Sequence, residues 1–403
     1  SGAEQAFWLD RIDAEHDNMR TALTWWLDRQ RDPAAGAALA AGLWWFWWVR
    51  GYFGEGRGWL AKALAAPDLA RPIRSRLLSG SGTLAEAQGD YDAAIAFHHE
   101  ALALARAAGL RRDEAQALNS LGSIAQDRGD YAEAAERFQA ALAIARADAD
   151  RIGIAYGLIN AGLVAMVQGE LAGARAELEE ALPILRAAGD TRGTAAALHN
   201  LALTILRSGS ADEARPLFED ALAVGRELHD PHAIALTLDN LGEAERHLGQ
   251  IDRAEALHRE AHAMLLELSD EQGQALALVN LGRVAIRRGD QGDAAANFAE
   301  ALARFDAIGD REGAAAALEG LAAAASAHDA ARALRLLAAA ATVRDAIGAP
   351  LPPIDRRAVD GVRAAARAAL SPDTADAAWS AGRRLTFKQA VEEGLKSPIG
   401  PVG

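Results

Sequence analysis

The chain has 403 residues, of which 51% are hydrophobic but only 5% aromatic, so its apolar content is carried mainly by alanine and leucine. That composition favours helix and allows a large core. A formal charge of −14 argues against a sequence-independent grip on nucleic acid phosphates, and the absence of cysteine excludes disulfide frameworks, thiolate metal sites and cysteine nucleophiles.

At the N-terminus, Ser1 to Arg11 carries charges and no apolar stretch of the secretory type, which predicts a cytoplasmic protein. Ser1-Gly2-Ala3 reads as a cloning remnant, and the chain as a piece cut from a longer polypeptide. Eight of the nine tryptophans fall in the first sixty residues: Trp8, Trp25, Trp26, Trp44, Trp45, Trp47, Trp48 and Trp59. Several are expected to pack the first helices together while others present an apolar face for docking or for a ligand. Pro33 to Val49 is seventeen residues without a charge. It falls short of the roughly 20 apolar residues that a bilayer-spanning helix needs, so it reads as a buried helix with no membrane role. Gly51-x-x-Gly54-x-Gly56-x-Gly58 imitates a phosphate loop but follows a helical run and lacks the lysine, so it reads as a turn between helices.

From Arg74 onward the chain repeats itself every forty residues. Glycine recurs at Gly89, Gly129, Gly169, Gly209, Gly249 and Gly289. Seven residues before each stands Gly82, Gly122, Gly162, Ala202, Gly242 or Gly282, and alanine columns follow from Ala94 and from Ala101. Between the alanines sits a larger residue, His98, Phe138, Leu178, Phe218, His258 or Phe298. Apolar residues at helical spacing on both sides of each Gly89-type position predict two helices joined at a glycine turn, with small residues where the axes cross closely and the large residue filling the gap beside them. A pair of that size cannot bury its apolar face alone, so neighbours must stack.

Leu121-Gly122, Gly129-Asp130-Tyr131, Ala134, Phe138 and Ala141, repeated as Leu281-Gly282, Gly289-Asp290, Ala294, Phe298 and Ala301, resemble the tetratricopeptide (TPR) pattern. The resemblance implies an all-α, right-handed superhelical solenoid of antiparallel helix pairs. It divides the chain into a Trp-rich start (1–70), six regular repeats (71–310), a degenerate seventh (311–349) and a C-terminal helical cap and tail (350–403). Within the last, Ser371-Pro372 and Thr386-x-x-Gln389 read as helix starts, and Ile354 to Leu395 is expected to fold back on the seventh repeat.

The flanks, Trp8-Leu9-Asp10-Arg11-Ile12-Asp13-Ala14-Glu15-His16-Asp17-Asn18-Met19-Arg20-Thr21-Ala22-Leu23 and Ala331 to Pro352, resemble the ends of the TPR sensor region of bacterial LuxR-type and SARP-type STAND transcription regulators. That resemblance implies a non-enzymatic sensor that binds a peptide, protein or small-molecule inducer and docks with an ATPase and winged-helix region elsewhere in the regulator. It implies no cofactor and no direct contact with nucleic acid. A constitutive protein-interaction scaffold without an inducer is the alternative.

No phosphate loop with its lysine and no nucleophile elbow occurs. His258-x-x-x-His262 has the spacing of a metal pair, yet both occupy core columns and read as packed histidines; a metal pair completed by a carboxylate is the other reading.

Binding is expected on the concave face, lined by the first helix of each repeat. Its apolar part comprises Tyr156, Ile159, Leu163, Met166, Leu203 and Leu206, with His199 beside them; its charged part comprises Asp239, Glu243, Arg246, Arg283 and Arg287. The apolar residues mark a binding surface, or else the superhelix closes there and they pack on one another. Asn160, Asn200, Asn240 and Asn280 form a ladder at one per repeat, able to pair with the backbone of an extended peptide or to tie each helix to the next.

Overall fold

A computed structural model describes residues 11–29 and 31–396. Trp8, the Ser1-Gly2-Ala3 start and the tail beyond Lys396 lie outside the described residues. Every regular element among those residues is helical, and the chain divides into two compact units, 1–153 and 154–403.

The first unit opens with α1 (His16–Leu23), which runs on as a π turn through Thr24–Asp28. Helices α2 (Pro33–Val49) and α3 (Phe53–Leu64) pack on each other and on α4 (Arg71–Glu86). Helix packing therefore reaches back before residue 71. Helices α5 (Tyr91–Ala108), α6 (Arg111–Asp127) and α7 (Tyr131–Ala147) complete the unit. Its N-terminal core gathers Leu23, Leu27, Phe46, Trp47, Leu60 and Leu77. The glycine cluster lies mostly in α3, where Gly56 allows close approach: a Cβ there would meet Leu84 at 2.6 Å and Trp47 at 2.9 Å. Trp47 is buried and Trp26, Trp44, Trp45 and Trp59 are half-buried, while Trp25 (46%) and Trp48 (45%) stand exposed.

The second unit continues the pairing through α8 (Arg151–Val167) and α9 (Leu171–Ala188), α10 (Thr191–Ser208) and α11 (Ala211–Glu227), and α12 (Pro231–His247) and α13 (Ile251–Glu267). Then come α14 (Glu271–Arg288) with α15 (Gln291–Ile308), and α16 (Arg311–Ala325) with α17 (Ala330–Ile347). Three helices follow: α18 (Pro353–Ala368), α19 (Pro372–Arg383) and α20 (Phe387–Leu395).

The sequence columns explain the pairing. A Cβ on Gly122 would meet Phe138 at 2.7 Å, one on Gly242 would meet His258 at 2.8 Å and one on Gly282 would meet Phe298 at 2.8 Å, so each large side chain rests on its partner helix's backbone. Burying one such phenylalanine contributes about 2–3 kcal/mol. An aspartate caps most of the first helices: the side chains of Asp150, Asp190, Asp230, Asp270 and Asp310 accept from the backbone N–H three residues on, at 2.8–3.1 Å.

Successive first helices touch one another, α10 with α12, α12 with α14 and α14 with α16, and no comparable contact joins the second helices among the described residues. The first helices therefore line the inner side of this unit. Helix α19 packs on α17, and α20 on α15, α16 and α17, where Arg332 donates to the carbonyls of Gly394 and Lys396 at the end of α20. Thr386 and Gln389 form the expected capping box. Helix α18 packs mainly on α17 and α16 of the seventh pair and also touches α10, which places it over the inner side.

Candidate ligand-binding face

The inner face of the unit 154–403 holds the sequence-predicted residues in two contrasting environments. On α8 and α10, Ile159, Met166 and Leu206 are buried rather than open, while Leu163 and Leu203 are half-buried. The expectation of an open apolar floor is corrected for the first three, which are buried; on the same inner side Arg207 of α10 reaches Glu312 of α16 at 3.2 Å. Tyr156 is exposed, but its hydroxyl donates to the capping carboxylate Asp190 at 2.9 Å, and burial of the hydroxyl together with that bond pushes its pKa up to about 12. It belongs to the seam between repeats rather than to the floor. His199 packs against Phe218 and meets Thr237 at 3.0 Å; burial pushes its pKa down to about 4, so it is neutral.

The asparagine ladder divides the same way. Asn240 donates to the Leu236 carbonyl at 3.1 Å and lies 3.3 Å from His199 Nε2, and Asn280 donates to Asp239 at 2.8 Å. These two tie helices internally. Among the described residues, Asn160 and Asn200 have no side-chain hydrogen bond, so their amides remain available.

On α12 and α14 the floor is a buried ionic network. Both Glu243 oxygens accept from Arg246, at 2.7 and 2.6 Å, and one also accepts from Arg283 at 3.0 Å. Burial alone raises the pKa of a carboxyl, but Arg246 and Arg283 outweigh it and hold Glu243 well below the usual range. Arg283 in turn stays charged: burial works against the charge, and Asp355 and Glu243 overcome it. Asp239 is buried between Asn280 and His258, whose Nδ1 lies 2.6 Å from it. Arg287 points to solvent.

Two chemical readings of these groups can be weighed directly. Glu243, His247 and Asp355 bring potential ligand atoms within 4.8 Å of one another, yet both Glu243 oxygens are taken by guanidinium groups that already balance its charge. A cation there would have to displace a guanidinium from Glu243. The His258–Asp239 pair resembles a base with its orienting carboxylate, but the His258 ring is fully buried against Gly242. His262, the other member of the i, i+4 pair, is half-buried.

Sequence reasoning missed Asp355 and the Glu319–Arg344 pair, buried at 2.7 Å. Nothing local announces either; the prolines at 350, 352 and 353 mark the end of the array but not where the chain goes next. In the first unit, a cavity of about 430 Å³ lies among Ile95, His99, Leu121, Ile124 and Arg128.

The tetratricopeptide repeat family matches residues 74–147 and, in overlapping windows, 153–227, 193–267 and 233–307. The chain belongs to this family, as a TPR-like solenoid of the protein-binding type. No match to a curated protein accompanies the family match. Among solved structures it is similar to a Rap protein complexed with competence and sporulation factor, at 13% identity and a TM-score of 0.64, covering 89% of this chain and 99% of that one. It is also similar to the Rap conjugation gene regulator of plasmid pLS20 in complex with the Phr* peptide, at 14% identity and a TM-score of 0.59, covering 82% and 96%. The apo form of RapI is a third, at 14% identity and a TM-score of 0.53, covering 86% and 97%. At these identities the likeness is one of fold.

Proposed function

We propose that the chain is a non-catalytic sensor that recognises an extended peptide on the inner face of the unit 154–403, as the sensing region of a bacterial STAND-type transcription regulator. The observation that carries the binding site is the pairing of two free amides, Asn160 and Asn200, with half-buried Leu163 and Leu203 one repeat apart. An amide offers both a donor and an acceptor to a peptide backbone, and the leucines offer its side chains an apolar seat. The Rap conjugation gene regulator in complex with the Phr* peptide supports a peptide as the ligand class. The Trp8 to Leu23 stretch of the sequence supports the regulator context by its resemblance to that family. Exposed Trp48, Val49 and Tyr52 in the first unit suit the docking of a further domain of such a regulator.

The test is to select binding peptides from a random library against the chain and measure them on Leu163→Asp, Leu203→Asp and Arg283→Glu variants. Loss of binding is the expected result for all three, with helicity and melting temperature unchanged for the two leucine variants; Arg283→Glu breaks the ion pairs to Glu243 and Asp355 and is expected to lower the melting temperature. Binding that survives all three substitutions would move recognition to the tryptophan-rich surface.

A further inference from the structure

From Ile347 at the end of α17 the chain leaves the array. Ala349 is buried, and Pro350 lies so close to the turn after α8 that a Cβ on Gly169 would stand 2.8 Å from its Cγ. The chain has therefore crossed from the seventh helix pair to the third. Pro352, with φ −57° and ψ 143°, keeps it in polyproline II conformation, and α18 then returns past α10 to α16 and α17. Asp355, in the first turn of α18, faces Arg283 at 3.5 Å.

This segment is held lightly. Ala366 is the one buried residue of the sixteen in α18, and the helix has no side-chain cap at its start. The Asp355–Arg283 separation is that of a weak ion pair, longer than a hydrogen bond. Helices α19 and α20 are seated differently, with Gly382 against the Arg335 carbonyl and Gly394 against Leu302.

The charge count at the floor says what can replace the segment. Arg246 and Arg283 share the single carboxylate of Glu243, while Asp239 is engaged by His258 and Asn280, and Glu319 by Arg344. Glu243, Glu319 and Asp239 all favour the charge of Arg283 from within the repeats, and Asp355 is the one anion among these that the repeat array does not itself supply. Lifting α18 without a substitute removes from half-buried Arg283 the carboxylate of Asp355 and leaves that place open to another anion. We infer that Pro350–Asp355, extended as far as Pro352 and then entering the first turn of α18, is an internal surrogate for the ligand, and that the ligand is a peptide whose carboxylate replaces Asp355 at Arg283. The inference rests on the inner face being the binding site.

A fluorescein-labelled peptide of the sequence Ala349–Arg357 serves as the probe, read by anisotropy on the full chain. The Asp355→Ala variant is expected to bind it about tenfold more tightly than the unaltered chain, because the self-occupied fraction no longer lowers the apparent affinity. The same peptide with asparagine in place of its aspartate should lose that gain, as should Asp355→Ala combined with Arg283→Gln. Equal binding of the acid and amide probes to Asp355→Ala, or no binding of either, overturns the inference, and this comparison stands even if the Arg283 variant fails to fold. Library-selected peptides separate the two readings. Binding lost on Leu203→Asp but indifferent to Arg283→Gln overturns the surrogate alone, and binding indifferent to both overturns the site as well.

Discussion

Arg207 and Glu312 are 105 residues apart in sequence and 3.2 Å apart in space. The pair joins the fourth helix pair to the seventh across the inner side of the unit 154–403, and both partners are about a quarter exposed. A double-mutant cycle with Arg207→Ala and Glu312→Ala is expected to show a coupling of about 0.5–1 kcal/mol that shrinks as salt is added. Zero coupling at low salt would mean that the two walls stand apart in solution.

Gly122 faces Phe138 so closely that Gly122→Ala must push the ring or the helix aside. A loss of about 1–3 kcal/mol in chemical denaturation is expected. Gly162 meets the smaller Leu178 at the looser distance of 3.1 Å. Adding Phe138→Leu to Gly122→Ala should therefore cost less than the sum of the two single changes. Strict additivity would show that the clash is relieved elsewhere.

The turns between repeats hold a left-handed residue at forty-residue spacing: Gly109, Ala149, Gly189, His229, Ser269 and Gly309, with φ between 50° and 77°. A side chain in that region costs about 1 kcal/mol or more relative to glycine. Ala149→Gly, His229→Gly and Ser269→Gly are each expected to raise the melting temperature, corresponding to as much as about 1 kcal/mol. A fall at all three sites would contradict the strained conformation.

His98 rests against Gly82 with both ring nitrogens lacking a hydrogen-bond partner. Burial, and to a lesser degree the charge of His99, pushes its pKa from the ordinary 6.5 down to about 4. The unfolded chain takes up a proton as pH falls through 6.5, whereas the folded chain resists until about 4, so stability is lost over that window as pH drops. The loss attributable to His98 at pH 5 is on the order of 2 kcal/mol. His98→Phe, which copies Phe138 and Phe298, should stabilise the protein at pH 7 and flatten its acid sensitivity between pH 6.5 and 4. An unchanged pH profile would assign that sensitivity to other groups, His199 first among them.

The helix pairs were legible because they are written in local periodicity. The glycine-turn column, the Gly122–Phe138 type of crossing and the Thr386–Gln389 capping box each depend on residues less than twenty positions apart, and a helix converts that spacing directly into geometry. The left-handed column between repeats was less visible, since alanine, histidine and serine occupy half of it.

The first-helix register proposed inner-face residues by position but said nothing of what they would meet. Asn160 and Asn240 occupy the same column and look alike in sequence, yet only Asn240 is tied down, to Leu236 and beside a histidine that Asn160 has no counterpart for.

What the sequence by itself determined was the repeat: an all-α chain of antiparallel pairs with a period of forty, its crossings set by glycine and its helix starts by aspartate. Only the tertiary structure decided that Ile159, Met166 and Leu206 are buried, that Arg283 shares its charge with Glu243 and Asp355, and that the segment after Ile347 lies over the inner side. The physical reason is range. Helix and turn formation respond to neighbours within a few residues, whereas the meeting of Arg207 with Glu312, or of Gly169 with Pro350, depends on small rotations accumulated over several stacked pairs, and no local pattern records their sum.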